Sequence, residues 1–243
     1  MLILQIGDRP LRRDQDCKEL EGRGFHREQT DSVEEAISFI ELYDFDIILA
    51  DLDIPRISGF DTIKELRAVS NIPIIGVTAA SDPRVKIIAL DLGADDVLTP
   101  MCGLDETLAR VRAVVRRRFG HVDSKLRCGR LELNLVGHQA GVDGVPLRLG
   151  PKEYLLLEFL LLKSGTAVSK TACMTHLYGT DEYPEAKTID VVLCRLRKRL
   201  APHGLADMIE SVWGYGFKLK DPASESNTPR MPTVVRRSVL AAA

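Results

Sequence analysis

The stretch IILADLDIP, residues 47–55, decides the fold. Ile47 to Ala50 form a short continuous apolar run, the pattern of a strand covered on both faces of a parallel sheet. The run stops at Asp51, with Asp53 and Pro55 just beyond. A carboxylate at the mouth of a buried strand is either a reactive group or a residue that has reached solvent. What else the chain brings to that mouth decides between them.

Outward from this strand, apolar runs alternate with amphipathic stretches. LILQI (2–6) precedes a polar helix near 9–22, and FHREQT (25–30) precedes SVEEAISFIELYD (32–44), where Val33, Ala36, Ile37 and Ile40 keep helical spacing. FDIILAD (45–51), IPIIGVT (72–78) and DVLT (96–99) read as further strands, followed by DTIKELRAV, DPRVKIIALDLG and LDETLARVRAVVRRR as helices. Five strands each followed by a helix predict a parallel α/β domain over residues 1–118. Ligands of such folds sit outside the carboxyl ends of the strands, where Asp8, Asp51 and Thr78 fall. Two carboxylates beside a hydroxyl suit a hard cation such as Mg²⁺ and a nucleophilic role for Asp51 toward a phosphoryl group. Asp-x-Asp also opens the signature of haloacid-dehalogenase-type phosphatases. Pro55 stands where that signature has Thr or Val, and the chain lacks room for the later catalytic segments. No catalysis is expected.

Charge divides the 243 residues. Residues 1–115 hold 13 Lys and Arg against 22 Asp and Glu, net −9, whereas residues 116–243 hold 20 against 13, net +7. A basic half joined to an acidic one points to a polyanion partner for the former. Five scattered cysteines without a Cys-x-x-Cys pair suit reduced thiols in the cytoplasm. No apolar run approaches the roughly 18 residues of a membrane span, and no basic region marks a signal peptide.

The basic half begins after a linker at 119–124. Residues 125–149 are short strand-like pieces with a turn signal at GVDG, and GPKEYLLLEFLLLKSG (150–165) is a helix with Pro151 in its first turn and Gly165 near its C-terminus. SKTACMTHLYG follows with Ser169 as N-cap, then the loop TDEYPEAK, the helix TIDVVLCRLRKRLA (188–201) and a glycine-tipped hairpin, IESVWGYGFKL (209–219). In the 188–201 helix Ile189, Leu193, Leu196 and Leu200 make the buried stripe. Thr188, Val192, Arg195 and Arg199 form one row away from it, beside Lys187, Val191, Cys194 and Lys198. An apolar back and a basic front suit the major groove of DNA. Cys194 is read as a small residue tolerated near DNA. Residues 221–243 lack periodicity and are rich in Ser, Pro and Ala, the composition of a disordered tail.

Asp8, Asp51, DLDIPRISG (51–59), Thr78 and LGADDVLT (92–99) resemble the receiver of two-component response regulators. LGPKEYLLLEFLL, HLYG, TIDVVLCRLRKRL and VWGYGFKL resemble the winged helix-turn-helix domain of the OmpR/PhoB family, nearest its alphaproteobacterial cell-cycle branch. The resemblance implies a flavodoxin-like (βα)5 receiver followed by that effector domain at 125–220. It implies Asp51 as phosphoryl acceptor, Asp8, Asp51 and the backbone carbonyl of Asp53 as the Mg²⁺ site, and Thr78 as the hydroxyl that follows the phosphoryl group.

The departures are as telling. The family's acidic pair after the first strand is Gly7-Asp8 here, its lysine after the fifth strand is Pro100, and its aromatic switch residue is Val97. Cell-cycle receivers keep these residues, so a paralogue of that branch is expected. The face of the fourth helix, fifth strand and fifth helix instead retains the family's dimer charges: Lys86 with Glu106, Asp91 with Arg112, and Asp96 with Arg110.

In the effector, the resemblance implies Lys187, Thr188, Val192, Arg195, Arg197, Lys198 and Arg199 at the major groove and Trp213, Tyr215 and Lys218 on the wing. Tyr178, Asp181, Glu182, Tyr183 and Glu185 lie in the loop that relatives present to RNA polymerase. The small apolar terminus VLAAA resembles tags read by bacterial AAA+ proteases, but the reading preferred for it is a plain frayed terminus.

The expected function is a dimeric, sequence-specific, cytoplasmic regulator of transcription, acting on promoter DNA with RNA polymerase and largely independently of phosphorylation, with no required cofactor. The alternative is a conventional switch, with a histidine kinase or phosphotransferase as donor, Mg²⁺ as cofactor and Asp51 as acceptor.

Overall fold

The computed structural model describes residues 1–8, 11, 19–54, 58–99, 102–180 and 187–220. The expected tail, Pro55, Pro100 and the loop residues Asp181, Glu182, Tyr183 and Glu185 lie outside them.

The N-terminal domain is built on five parallel strands, β1 (Leu2–Ile6), β2 (His26–Thr30), β3 (Ile47–Asp51), β4 (Ile74–Val77) and β5 (Asp96–Leu98), in the order β2-β1-β3-β4-β5. This is the flavodoxin-like order, whose crevice opens beyond the strand ends beside β1 and β3. Every residue of β1, β3 and β4 is buried, as continuous apolar runs require.

Helices α1 (Val33–Leu42), α2 (Gly59–Val69), α3 (Pro83–Asp91) and α4 (Leu104–Arg118) cover the sheet, and only residues 19–22 of the helix expected near 9–22 are described as helical. Local chemistry sets their starts. Ser32 caps α1 by accepting from the Glu35 amide, and Asp82 caps α3 by accepting from the Arg84 amide at 2.9 Å with Pro83 in the first turn. Gly59 opens α2 against β3's exit: a Cβ there would lie 2.4 Å from the Leu52 Cα.

α4 ends at Arg118 and β6 starts at Lys125. β6 (Lys125–Cys128), β7 (Leu131–Asn134), β8 (Gln139–Val142) and β9 (Val145–Leu147) form an antiparallel meander, and the expected GVDG turn is a two-residue hairpin with Asp143 and Gly144 both at positive φ. α5 (Pro151–Leu162) is the buried spine, its start held by the Glu153 carboxylate accepting from the Gly150 amide at 2.8 Å. α6 (Lys170–Tyr178), capped by Ser169 as expected, and α7 (Lys187–Leu200) pack on it. The strands β10 (Ala167–Ser169), β11 (Ile209–Val212) and β12 (Gly216–Leu219) close the domain as a second antiparallel sheet in the order β10-β12-β11.

The two domains share a core. Met1, Ile3, Phe25 and Val115 of the first belong to the same buried cluster as Leu157, Leu160 and Leu177 of the second. Contact is close enough that a Cβ on Gly24 would lie 2.3 Å from Leu155, and one on Gly179 would lie 3.0 Å from His26. At this seam His176 stacks on Phe159 with ring centroids 4.2 Å apart, and its Nδ1 lies 3.6 Å from the Asp46 carboxylate. Burial pushes the His176 imidazole down to about 3, and burial likewise pushes His26 down to about 4. Both seam histidines are therefore neutral near pH 7.

Candidate functional site

Two places gather the chemistry. The first is the carboxyl end of β3 and β4. Asp51, the last residue of β3, is only 2% exposed, and its Oδ1 accepts from the Asp53 amide at 2.9 Å. Thr78 follows β4 and is fully buried. Its hydroxyl donates to Asp53 Oδ1 at 2.8 Å and accepts from the Ala80 amide at 3.1 Å. The Ala79 amide donates to the other Asp53 oxygen, Oδ2, at 2.7 Å. Asp53 therefore turns its carboxylate toward the end of β4, where each oxygen meets a donor.

Across the crevice Gly7 explains the missing carboxylate of the family's acidic pair. It sits at φ +84°, and a Cβ there would lie 2.7 Å from the Asp51 Cβ. Both backbone and space exclude a side chain at position 7 in this conformation. Asp8 is exposed.

The Mg²⁺ ion that the receiver resemblance implies would be held here by Asp8, Asp51 and the Asp53 backbone carbonyl, one carboxylate fewer than the family's acidic pair supplies. Among the described residues no group of three or more His, Cys, Asp and Glu is placed to hold a metal ion. The Asp53 side chain, which could have stood in for the missing carboxylate, already receives hydrogen bonds from β4's exit at both oxygens.

The charges expected at a dimer face lie on α3, β5 and α4, the fourth helix, fifth strand and fifth helix when the one near 9–22 is counted. Arg110 bridges Asp96 at 3.1 Å and Glu106 at 2.9 Å within the same chain. Lys86 is half-buried and Asp91 exposed. Arg112 turns away toward the domain seam, with its guanidinium 5.2 Å from the centre of the Phe25 ring. Between these charges α3 exposes Ile87, Ile88 and Leu90 by 43% or more each.

The second place is α7. Ile189, Leu193, Leu196 and Leu200 are buried as the spacing predicts. Val192 is a correction: expected at the groove, it is 6% exposed and belongs to the core. It lies three residues after Ile189 and four before Leu196, so it widens the apolar stripe. Val191, 48% exposed, stands on the outward face in its place. Lys187, Cys194, Arg195 and Lys198 are exposed beside it, while Thr188 is half-buried. Arg197 is also corrected. Its Nη2 donates to the Ile209 carbonyl at 2.6 Å and to Ser211 Oγ at 3.1 Å, so its guanidinium fastens α7 to β11. Arg199 lies 3.7 Å from the Glu153 carboxylate.

The hairpin β11–β12 turns at Gly214, φ +71°, and displays Trp213, 99% exposed, and Tyr215, 55% exposed, with Lys218 half-buried on β12. Gly216 has no room for a side chain, since a Cβ would lie 2.0 Å from the Val168 carbonyl oxygen. Tyr178, at the start of the loop assigned to RNA polymerase, has Lys152 Nζ 4.2 Å from its ring centre.

Sequence reading placed Asp53 at the site but missed its hydrogen bonds to Thr78 and Ala79, 25 and 26 residues away, and the seam pair Asp46–His176. The doubled aspartate of DLD, with a threonine ending the next strand, was the available signal for the first.

Residues 3–112 match the family model of the response regulator receiver domain, and residues 144–219 match the model described as transcriptional regulatory protein, C terminal. The cell cycle transcriptional regulator CtrA of Caulobacter vibrioides is 41% identical over 211 residues, covering 86% of this chain and 91% of that protein. The cell cycle response regulator CtrA of Brucella anthropi is 40% identical over 208 residues, covering 85% and 90%. Among solved structures, DrrB, an OmpR/PhoB homologue of Thermotoga maritima, is 20% identical with a TM-score of 0.39, covering 90% of this chain and 98% of that one.

Proposed function

This chain belongs to the OmpR/PhoB response-regulator family, in likeness to its CtrA members, and from that premise we propose a dimeric regulator that binds promoter DNA by sequence and acts without a phosphorylation signal. The observation that carries the reading is the outward face of α7. Lys187, Arg195 and Lys198 are exposed there and form no ion pair with another described residue. Cations that the fold leaves unspent are available to phosphates and to the guanine edge. Arg195 at mid-helix, flanked by Val191, is the base reader; Lys187 and Lys198 hold the backbone. Trp213 and Tyr215 meet the duplex beside the helix.

The apolar trio Ile87, Ile88 and Leu90 within a charged rim supports α3, β5 and α4 as the contact between two copies. RNA polymerase is the partner proposed for the loop that begins at Tyr178. Independence from phosphorylation is supported by the absent second carboxylate, by Pro100 in the lysine position and by the Asp53 carboxylate, which is bound to β4's exit instead of replacing the lost ligand.

Fluorescence anisotropy on selected genomic fragments against random duplex, across a salt series, tests DNA recognition. The expected result is a preferred sequence bound at least a hundredfold more tightly than random DNA, with affinity falling steeply with salt. Equal affinity for all duplexes overturns it.

A further inference from the structure

We propose that the Asp53 carboxylate is a resident anion: it fills the anchor formed by the Thr78 hydroxyl and the Ala79 amide, and so does inside the chain what an added phosphoryl group would do from Asp51. This deepens the phosphorylation-independent reading above and rests on it.

The geometry is specific. Two donors from adjacent residues at the end of β4 converge on one carboxylate, hydroxyl to Oδ1 at 2.8 Å and amide to Oδ2 at 2.7 Å. Hydrogen bonds to an ionised acceptor are about twice as strong as neutral ones. The Thr78 hydroxyl has no rotational freedom left, because it donates to Asp53 while accepting from the Ala80 amide. Thr78 is fully buried, so the hydroxyl side of the anchor is shielded from competing water, whereas the Ala79 amide closes it at the surface. The backbone closes the arrangement from the other side, where the Asp53 amide donates to Asp51 Oδ1. Asp51 and Thr78 are thus joined through Asp53, and the end of β4 is held against the end of β3.

Occupation by Asp53 also bears on Asp51. A phosphoryl group there brings a charge near −2 and oxygens that need donors. The Thr78 hydroxyl and the Ala79 amide are taken, and their present acceptor is itself an anion that would repel the newcomer. The chain has Pro100 where the family has a lysine, so no cation offsets that repulsion from this position. The same side chain that holds the β4 exit in place therefore works against modification of Asp51.

Amide hydrogen exchange on the full-length chain reads the anchor directly. In the native protein the Ala79 and Ala80 amides are expected to be protected. Asp53→Ala should raise their exchange at least tenfold while amides of β1 and β3 keep their protection, which shows that the fold persists. Asp53→Asn, which retains one acceptor oxygen and loses the charge, should fall between the two. Formate added to Asp53→Ala should restore protection where chloride at equal ionic strength does not. Exchange at Ala79 and Ala80 within twofold of native in Asp53→Ala overturns the inference. Loss of protection that formate leaves unrestored reduces Asp53 to loop packing and overturns it equally. The native chain treated with beryllofluoride and Mg²⁺ separates the two levels. A tenfold gain in its DNA affinity refutes phosphorylation independence itself, whereas an indifferent native chain with an unaltered Asp53→Ala refutes only the anchor.

Discussion

The end of β3 and the face of α7 are both rich in charge, yet they spend it in opposite ways. At β3 the carboxylate of Asp53 is turned inward and both its oxygens are met by donors from β4's exit. On α7 the cations Lys187, Arg195 and Lys198 point outward and are left without internal partners among the described residues. A charge that the fold satisfies becomes structure, and a charge that it leaves open is free for a partner. Even within α7 the rule discriminates: Arg197 reads as a DNA contact by type and position, but its bonds to Ile209 and Ser211 bind it to the wing.

The contrast can be broken from either side. The largest expected effect is on stability: Leu196→Ala, in a fully buried position of α7, should cost about 2–5 kcal/mol by urea unfolding. Acidification comes next. His176 has a folded value of about 3 against 6.5 unfolded, because burial disfavours its charged form. Between those values the unfolded chain binds the extra proton. The contribution of this group is therefore intact above about pH 6.5 and declines toward acid, by at most about 1.4 kcal/mol per pH unit. The urea midpoint should drop between pH 7 and 5, and His176→Phe should flatten that drop; an equal drop in the variant contradicts the assignment.

Arg195→Ala sharpens the outward side. Discrimination between preferred and random duplex should fall by about 1–3 kcal/mol. An equal loss on both duplexes would make Arg195 a phosphate contact. Lys198→Ala should weaken all duplexes alike and lower the salt slope by about one. The smallest effect is expected for Val191→Ala on stability, within about 0.5 kcal/mol, since Val191 is 48% exposed and packs on no core.

Much of the fold was legible. Continuous apolar runs marked β1, β3 and β4, and the 4-3-4 spacing of Ile189, Leu193, Leu196 and Leu200 marked the inner side of α7. Turn chemistry located the β8–β9 hairpin and the Ser169 cap. Val192 went astray because a stripe drawn from leucine and isoleucine alone is narrower than the roughly 100° that a globular core takes. The Asp53 anchor and the Asp46–His176 seam were out of reach for a different reason. Each joins side chains brought together only by the finished topology, in the second case across two domains, and no local periodicity encodes such a meeting.

The central claim is that this receiver needs no phosphoryl signal for its effector to engage DNA. Its most direct test is a titration of a preferred duplex with the full chain, native and Asp51→Asn, each with and without acetyl phosphate and Mg²⁺. The account predicts four dissociation constants within about twofold of one another; a tightening of tenfold or more by acetyl phosphate, present in the native chain and lost in Asp51→Asn, would contradict it.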